Sequence, residues 1–119
     1  MENQVDLKRL LQLINDQKNL DTNLNLDEGC TIFAQDQAPL IKVINYFLNY
    51  LSVLTDKTME ISLDLLGSSI LMSMMAFTNK QDLPALSPNL KAALEVYHAS
   101  YEVKHEPGQY IQIKITFSK

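Results

Sequence analysis

The segment Ile70–Phe77, ILMSMMAF, constrains this chain more than any other. It is apolar at every position but Ser73, and only eight residues long. That is far short of the ~20 residues that cross a bilayer. Gly67-Ser68 precedes it as a turn signal, and a segment with two prolines follows it. A short apolar run bounded in this way reads as a strand near the middle of a sheet, covered on both faces or nearly so. The stretch before the turn alternates, with Met59, Ile61, Leu63 and Leu65 against Glu60, Ser62 and Asp64. The two stretches form a hairpin. Met59, Met72, Met74 and Met75 gather on it, and core packing is the first explanation for methionines in such a strand.

The other segments fall around this hairpin. Leu7, Leu10, Leu11 and Ile14 recur at helical spacing over residues 5–17, which predicts an amphipathic N-terminal helix. Leu20, Thr22, Leu24 and Leu26 alternate with polar residues as in a strand with one wet face. Asp27-Glu28-Gly29 is a turn, and Thr31–Ala34 could continue the sheet after it. Asp36 is placed as an N-cap, with Pro39 in the first turn of the main helix, Leu40–Leu54. Most apolar positions of that helix form one broad face, and Val53 lies to one side. The opposite stripe is Asn45, Asn49, Ser52 and Asp56. Residues 78–88, TNKQDLPALSP, read as a loop. A helix pattern returns from about Ser87 through Leu90, Ala93, Leu94 and Tyr97. A second hairpin closes the chain around Pro107-Gly108, with Ile111, Ile113, Ile115 and Phe117 alternating with polar residues. The expected fold is therefore α+β, a two-layer sandwich with helices on one face of a mixed, mostly antiparallel sheet. At 119 residues it makes one domain: an amphipathic helix over 1–18 and the sandwich over 20–118.

Charge and cysteine usage narrow the function. Ten basic against 14 acidic residues give a net charge of -4. Nucleic-acid binding needs a concentrated basic face, and this chain shows only pairs such as Lys8-Arg9. The single cysteine, Cys30, forms no internal disulfide and suits a reducing compartment. No apolar run has the length of a signal peptide or a membrane span, so a cytoplasmic location is expected. His98 and His105 are seven residues apart with no third ligand near them, which is not a metal-site pattern.

The order of elements resembles the ATP-binding domain of sensor histidine kinases, within the GHKL ATPase superfamily. The resemblance is carried by Val43-Ile44-Asn45-Tyr46-Phe47-Leu48-Asn49-Tyr50-Leu51, whose asparagines match the spacing of that family's N-box, N-L-x-x-N-A. Asn23–Leu26 and Asp36 ahead of it, Met59–Phe77 behind it, and Leu90–His98 with Glu106-Pro107-Gly108 near the end match in order. The resemblance implies a nucleotide groove along the main helix, with Asn49 in the position that holds Mg2+. The chain departs from it where the phosphates and adenine would bind. The first glycine box, D-x-G-x-G, falls at Ala76-Phe77-Thr78-Asn79-Lys80, with neither aspartate nor glycine. The second, G-x-G-L-G, falls at about Pro84–Leu90, which reads PALSPNL. Backbone amides must approach phosphates closely there, often at positive φ, and a Cβ blocks that approach.

These residues lead to a non-catalytic, histidine-kinase-like docking module of bacterial signalling, with no cofactor and no metal. Asn45 and Asn49 are expected to line a vestigial nucleotide groove. Tyr46, Tyr50 and Ser52 form a candidate partner patch, since tyrosine is enriched at protein interfaces. The family implies a protein partner: a response regulator, a kinase or a sigma-factor-type protein. The N-terminal helix could mediate a homodimer, because its apolar stripe must be buried somewhere. One alternative is a phosphotransfer protein using His98 or His105. Another is a small-molecule sensor using the old groove.

Overall fold

A computed structural model describes residues 3–118, so positions 1, 2 and 119 of the expected domain lie outside it. The chain runs β1 (Asn3–Asp6), α1 (Leu7–Lys18), β2 (Thr22–Leu26), β3 (Thr31–Ala34), α2 (Ala38–Ser52), β4 (Met59–Leu66), β5 (Ser69–Phe77), α3 (Leu90–Glu95), β6 (Ala99–Glu106) and β7 (Tyr110–Ser118). Five strands form a mixed sheet in the order β2-β4-β5-β7-β6, in which β2 runs parallel to β4 and the other pairs are antiparallel. β1 and β3 make a separate antiparallel pair. The fold is α+β, as the periodicities predict.

Burial follows the alternation. Ile61, Leu63, Ile70, Met72, Met74, Ile111, Ile113, Ile115 and Phe117 form the sheet's buried face. Leu40, Ile44, Phe47, Leu48 and Leu51 come down on it from α2, and Leu7, Leu10, Leu11 and Ile14 from α1. The stripe of α1 is thus buried in the chain's own core. The need that suggested pairing through this helix is met internally.

Local details differ from the sequence reading in several places, among them the main helix, which runs Ala38–Ser52 with Gln37 and not Asp36 at its N-cap. Residues 5 and 6 belong to β1, and α1 starts at Leu7 because the Asp6 carboxylate accepts from the amides of Lys8 and Arg9. Strand β3 does not continue the main sheet. Gly29, at φ +81, turns the chain after β2, and Thr31–Ala34 then pairs with β1 in the register Asp6↔Thr31 to Asn3↔Ala34. Helix α3 is shorter than the pattern around Ser87–Tyr97 and holds only Leu90–Glu95.

The start of α2 is tied to the far end of α3. Gln37, its N-cap residue, makes no side-chain cap bond. Instead the Asp36 carboxylate accepts from the amide of Ala38 at 2.9 Å. Pro39 has no amide to satisfy, and the Leu40 amide donates to the Tyr97 hydroxyl at 3.0 Å. The free amides of this helix start are thereby accounted for.

Candidate functional site

Helix α2 places Asn45 and Asn49 four residues apart, on adjacent turns of its outer face. Asn45 is half-buried and Asn49 exposed. The Lys18 ammonium, at the last turn of α1, donates to Oδ1 of Asn49 at 2.7 Å. The oxygen that would hold a cation is therefore already serving one. A divalent ion there would have to displace a like charge and would gain one neutral ligand. Ser52 turns back on its own helix, where its hydroxyl donates to the Asn49 carbonyl at 2.9 Å.

Tyr46 and Tyr50 occupy the flank of α2 beside the asparagines. Their rings stack at 6.5 Å with 23° between planes, and Tyr46 also meets Phe47 edge-on. Both hydroxyls reach the segment between β5 and α3. Tyr50 is buried and donates to the Pro84 carbonyl at 2.7 Å, while Tyr46 accepts from the Ser87 amide at 2.8 Å. Leu83 and Leu86 of the same segment pack against the core. Burial, reinforced by neighbouring Tyr46, pushes the Tyr50 phenol above its usual range. The surface expected to receive a partner at Tyr46 and Tyr50 is thus occupied by the chain's own loop. What lies outermost there is the loop together with Asn49.

Thr78, in the stretch that the resemblance sets against the first glycine box, is buried. Its amide donates to the Gln109 carbonyl at 3.0 Å, and its hydroxyl accepts from the Lys80 amide at 3.2 Å. The loop backbone is held by its own residues and by the β6–β7 turn. Beyond it lies an open pocket of about 600 Å3, lined by Val53–Lys57, Phe77–Asn79 and Gly108–Gln109. Neither Asn45 nor Asn49 lines it. The pocket adjoins the C-terminal end of α2, not the middle of the helix.

The histidines do not line the pocket beside α2. His98 follows α3 in the left-handed conformation, φ 55, and is exposed. Its backbone donates to the Glu95 carbonyl and accepts from the Ser118 amide. Nε2 of His105 lies 3.4 Å from the Lys80 carbonyl. Among the described residues, no group of three His, Cys, Asp or Glu is placed to hold a metal ion. No helix among the described residues is long and apolar enough to cross a membrane. Sequence reasoning placed Tyr97, Pro84 and Ser87 in the chain but gave none of them these contacts. Their roles depend on hydrogen bonds spanning 57, 34 and 41 positions, which no local pattern signals.

No protein-family model and no curated protein matches this chain. Solved structures do. The histidine kinase domain of the E. coli osmosensor EnvZ superposes with a TM-score of 0.77 at 8% identity, covering 99% of this chain and 89% of that one. The nucleotide-free catalytic domain of histidine kinase ThkA gives 0.75 at 11% identity, over 100% and 96%. Acinetobacter baumannii histidine kinase AdeS gives 0.75 at 12%, over 99% and 67%. Identities this low carry the fold across and leave the chemistry of each position to be argued from the residues present.

Proposed function

Starting from a chain that has the fold of histidine-kinase catalytic domains, we propose that it serves signalling as a protein-docking module and does not use that fold's nucleotide site. The observation that carries this reading is the closure of the 83–87 segment onto α2 through Tyr46 and Tyr50. Two further features support it. Lys18 takes the Asn49 oxygen. In addition, the three glycines, Gly29, Gly67 and Gly108, lie outside both box positions. A polyphosphate needs bare amides, an acidic anchor for the adenine and a metal seat, and each of these positions holds something else. The partner would be a response regulator, a kinase or a sigma-factor-type protein of a two-component pathway, met in the cytoplasm. Titration calorimetry with ATP and Mg2+ tests the central claim. No saturable heat is expected, and micromolar binding would overturn it.

The open pocket beside Val53–Lys57 favours a second reading, a sensor of a small molecule. Native mass spectrometry of the purified chain distinguishes the two. A bound metabolite of constant mass supports the sensor, and a bare chain supports docking alone.

A further inference from the structure

Strand β5 carries apolar residues on both of its faces, but only one is fully buried. Ile70, Met72, Met74 and Ala76 point under the helices and are 0% exposed. Leu71, Ser73, Met75 and Phe77 point the other way. Leu71 and Met75 are half-buried there, Ser73 is buried and accepts from Nε2 of Gln112 at 2.7 Å, and Phe77 is 43% exposed. A sheet face left to water carries polar side chains on its central strand. The strand that the sequence predicts to be covered on both faces or nearly so is fully buried on one and partly buried on the other.

The flanks of this stripe show what fits it. On one side β4 presents Glu60, Ser62 and Asp64; on the other β7 presents Gln112, Lys114 and Thr116. The register sets them in three rows, Glu60–Met75–Gln112, Ser62–Ser73–Lys114 and Asp64–Leu71–Thr116. An acidic column and a lysine thus stand at equal distances from one apolar strand. Glu102 stands beside Lys114 in the β6–β7 register, but among the described residues the only ion pair is Lys8 with Glu28.

We propose that this face binds a second copy of the chain, sheet against sheet, about a two-fold axis running along β5. Such an axis exchanges the flanks and keeps the rows. Lys114 of each copy then faces Ser62 of the other, between Glu60 and Asp64, each of which lies about 7 Å away along the strand. Met75 meets Met75 and Leu71 meets Leu71. On the outer strands, Lys104 faces Asn23 and Glu102 faces Asn25, by the pairings of β6 with β7 and β2 with β4. No like charges meet. A two-fold axis across the strands would instead set Glu60 on Asp64 and is disfavoured. Five strands at about 4.8 Å spacing give a footprint of roughly 500 Å2, which suits a micromolar dimer and not a permanent one.

Analytical ultracentrifugation of the full chain, from micromolar to submillimolar concentration, tests this. The wild type is expected to form a dimer that weakens as salt rises. Met75→Glu sets two carboxylates face to face and should leave monomers. Lys114→Glu alone, and Glu60→Lys with Asp64→Lys, should each weaken the dimer by about tenfold or more. Mixing the two oppositely charged variants should restore it, because both contacts in the mixed pair become attractive. A wild type that stays monomeric at every concentration overturns the proposal. So does a dimer indifferent to Met75→Glu and Lys114→Glu, or a mixture that fails to associate while circular dichroism shows both variants folded.

Discussion

Tyr97 and Leu40 are joined by a buried hydrogen bond, in which the Leu40 amide donates to the phenolic oxygen at 3.0 Å. The same hydroxyl donates to the Asp36 carbonyl at 2.6 Å. One side chain from beyond α3 thus completes the N-terminus of α2 and fixes the turn before it. The start of α2 is thereby tied to the chain just beyond α3.

Tyr97→Phe keeps the ring and removes the hydroxyl. The Leu40 amide is then left buried without an acceptor, a loss of about 1–3 kcal/mol. Urea denaturation should report a lower midpoint with an unchanged slope. An unchanged midpoint would mean that water or another group replaces the phenol.

The tyrosine pair on α2 should control the loop more than the fold. Tyr50→Phe and Tyr46→Phe each remove one anchor of the 83–87 segment, at about 1 kcal/mol or less of global stability. Hydrogen exchange and limited proteolysis between residues 79 and 88 should accelerate in both variants. Equal protection in the variants and the wild type would show that Leu83 and Leu86 hold the segment unaided.

High pH offers an independent test of the same phenols. Burial raises the Tyr50 pKa, with Tyr46 adding to the rise. Burial also raises that of Tyr97; the bond from the Leu40 amide opposes the shift and Asp36 adds to it. A raised folded-state pKa means that the unfolded chain loses its protons first. The stabilisation is fully present below the unfolded value of about 10 and is lost as pH climbs through the folded value. Stability should be flat from neutrality to about pH 10 and then fall. A Tyr50→Phe, Tyr97→Phe double variant should show a shallower decline from its own lower plateau.

Gly108 turns β6 into β7 at φ +79, where a Cβ would stand 3.1 Å from Nε2 of Gln81. The Gln81 side chain can swing away, but the backbone angle cannot be relieved so easily. Gly108→Ala should therefore destabilise by about 1 kcal/mol, and thermal unfolding should show it. No change in midpoint would mean that the turn relaxes to a negative φ.

The hairpins were legible because each residue announces its own face. Ile111, Ile113, Ile115 and Phe117 alternate in sequence and are all fully buried. The main helix was legible for the same reason at a different period, down to Val53, which is 73% exposed. β1 was not legible. Asn3–Asp6 has one apolar residue, Val5, and is a strand only because Thr31–Ala34 lies beside it. In the candidate site, the asparagine stripe could be read from spacing. Its occupation by Lys18 could not, since that contact spans 31 positions. The tyrosines were recognised as amphipathic, but which surface their hydroxyls would meet depended on how the loop folds back.

Strand order also bears on how the chain is made. β7, the last of the described strands in sequence, lies between β5 and β6. A nascent chain that has emerged from the ribosome only as far as β6 has nothing to pair that strand with. The flank of β5 that β7 will occupy is equally bare. This half of the sheet can zip together only once residues 110–118 have cleared the exit tunnel, so β6 waits on a strand made after it.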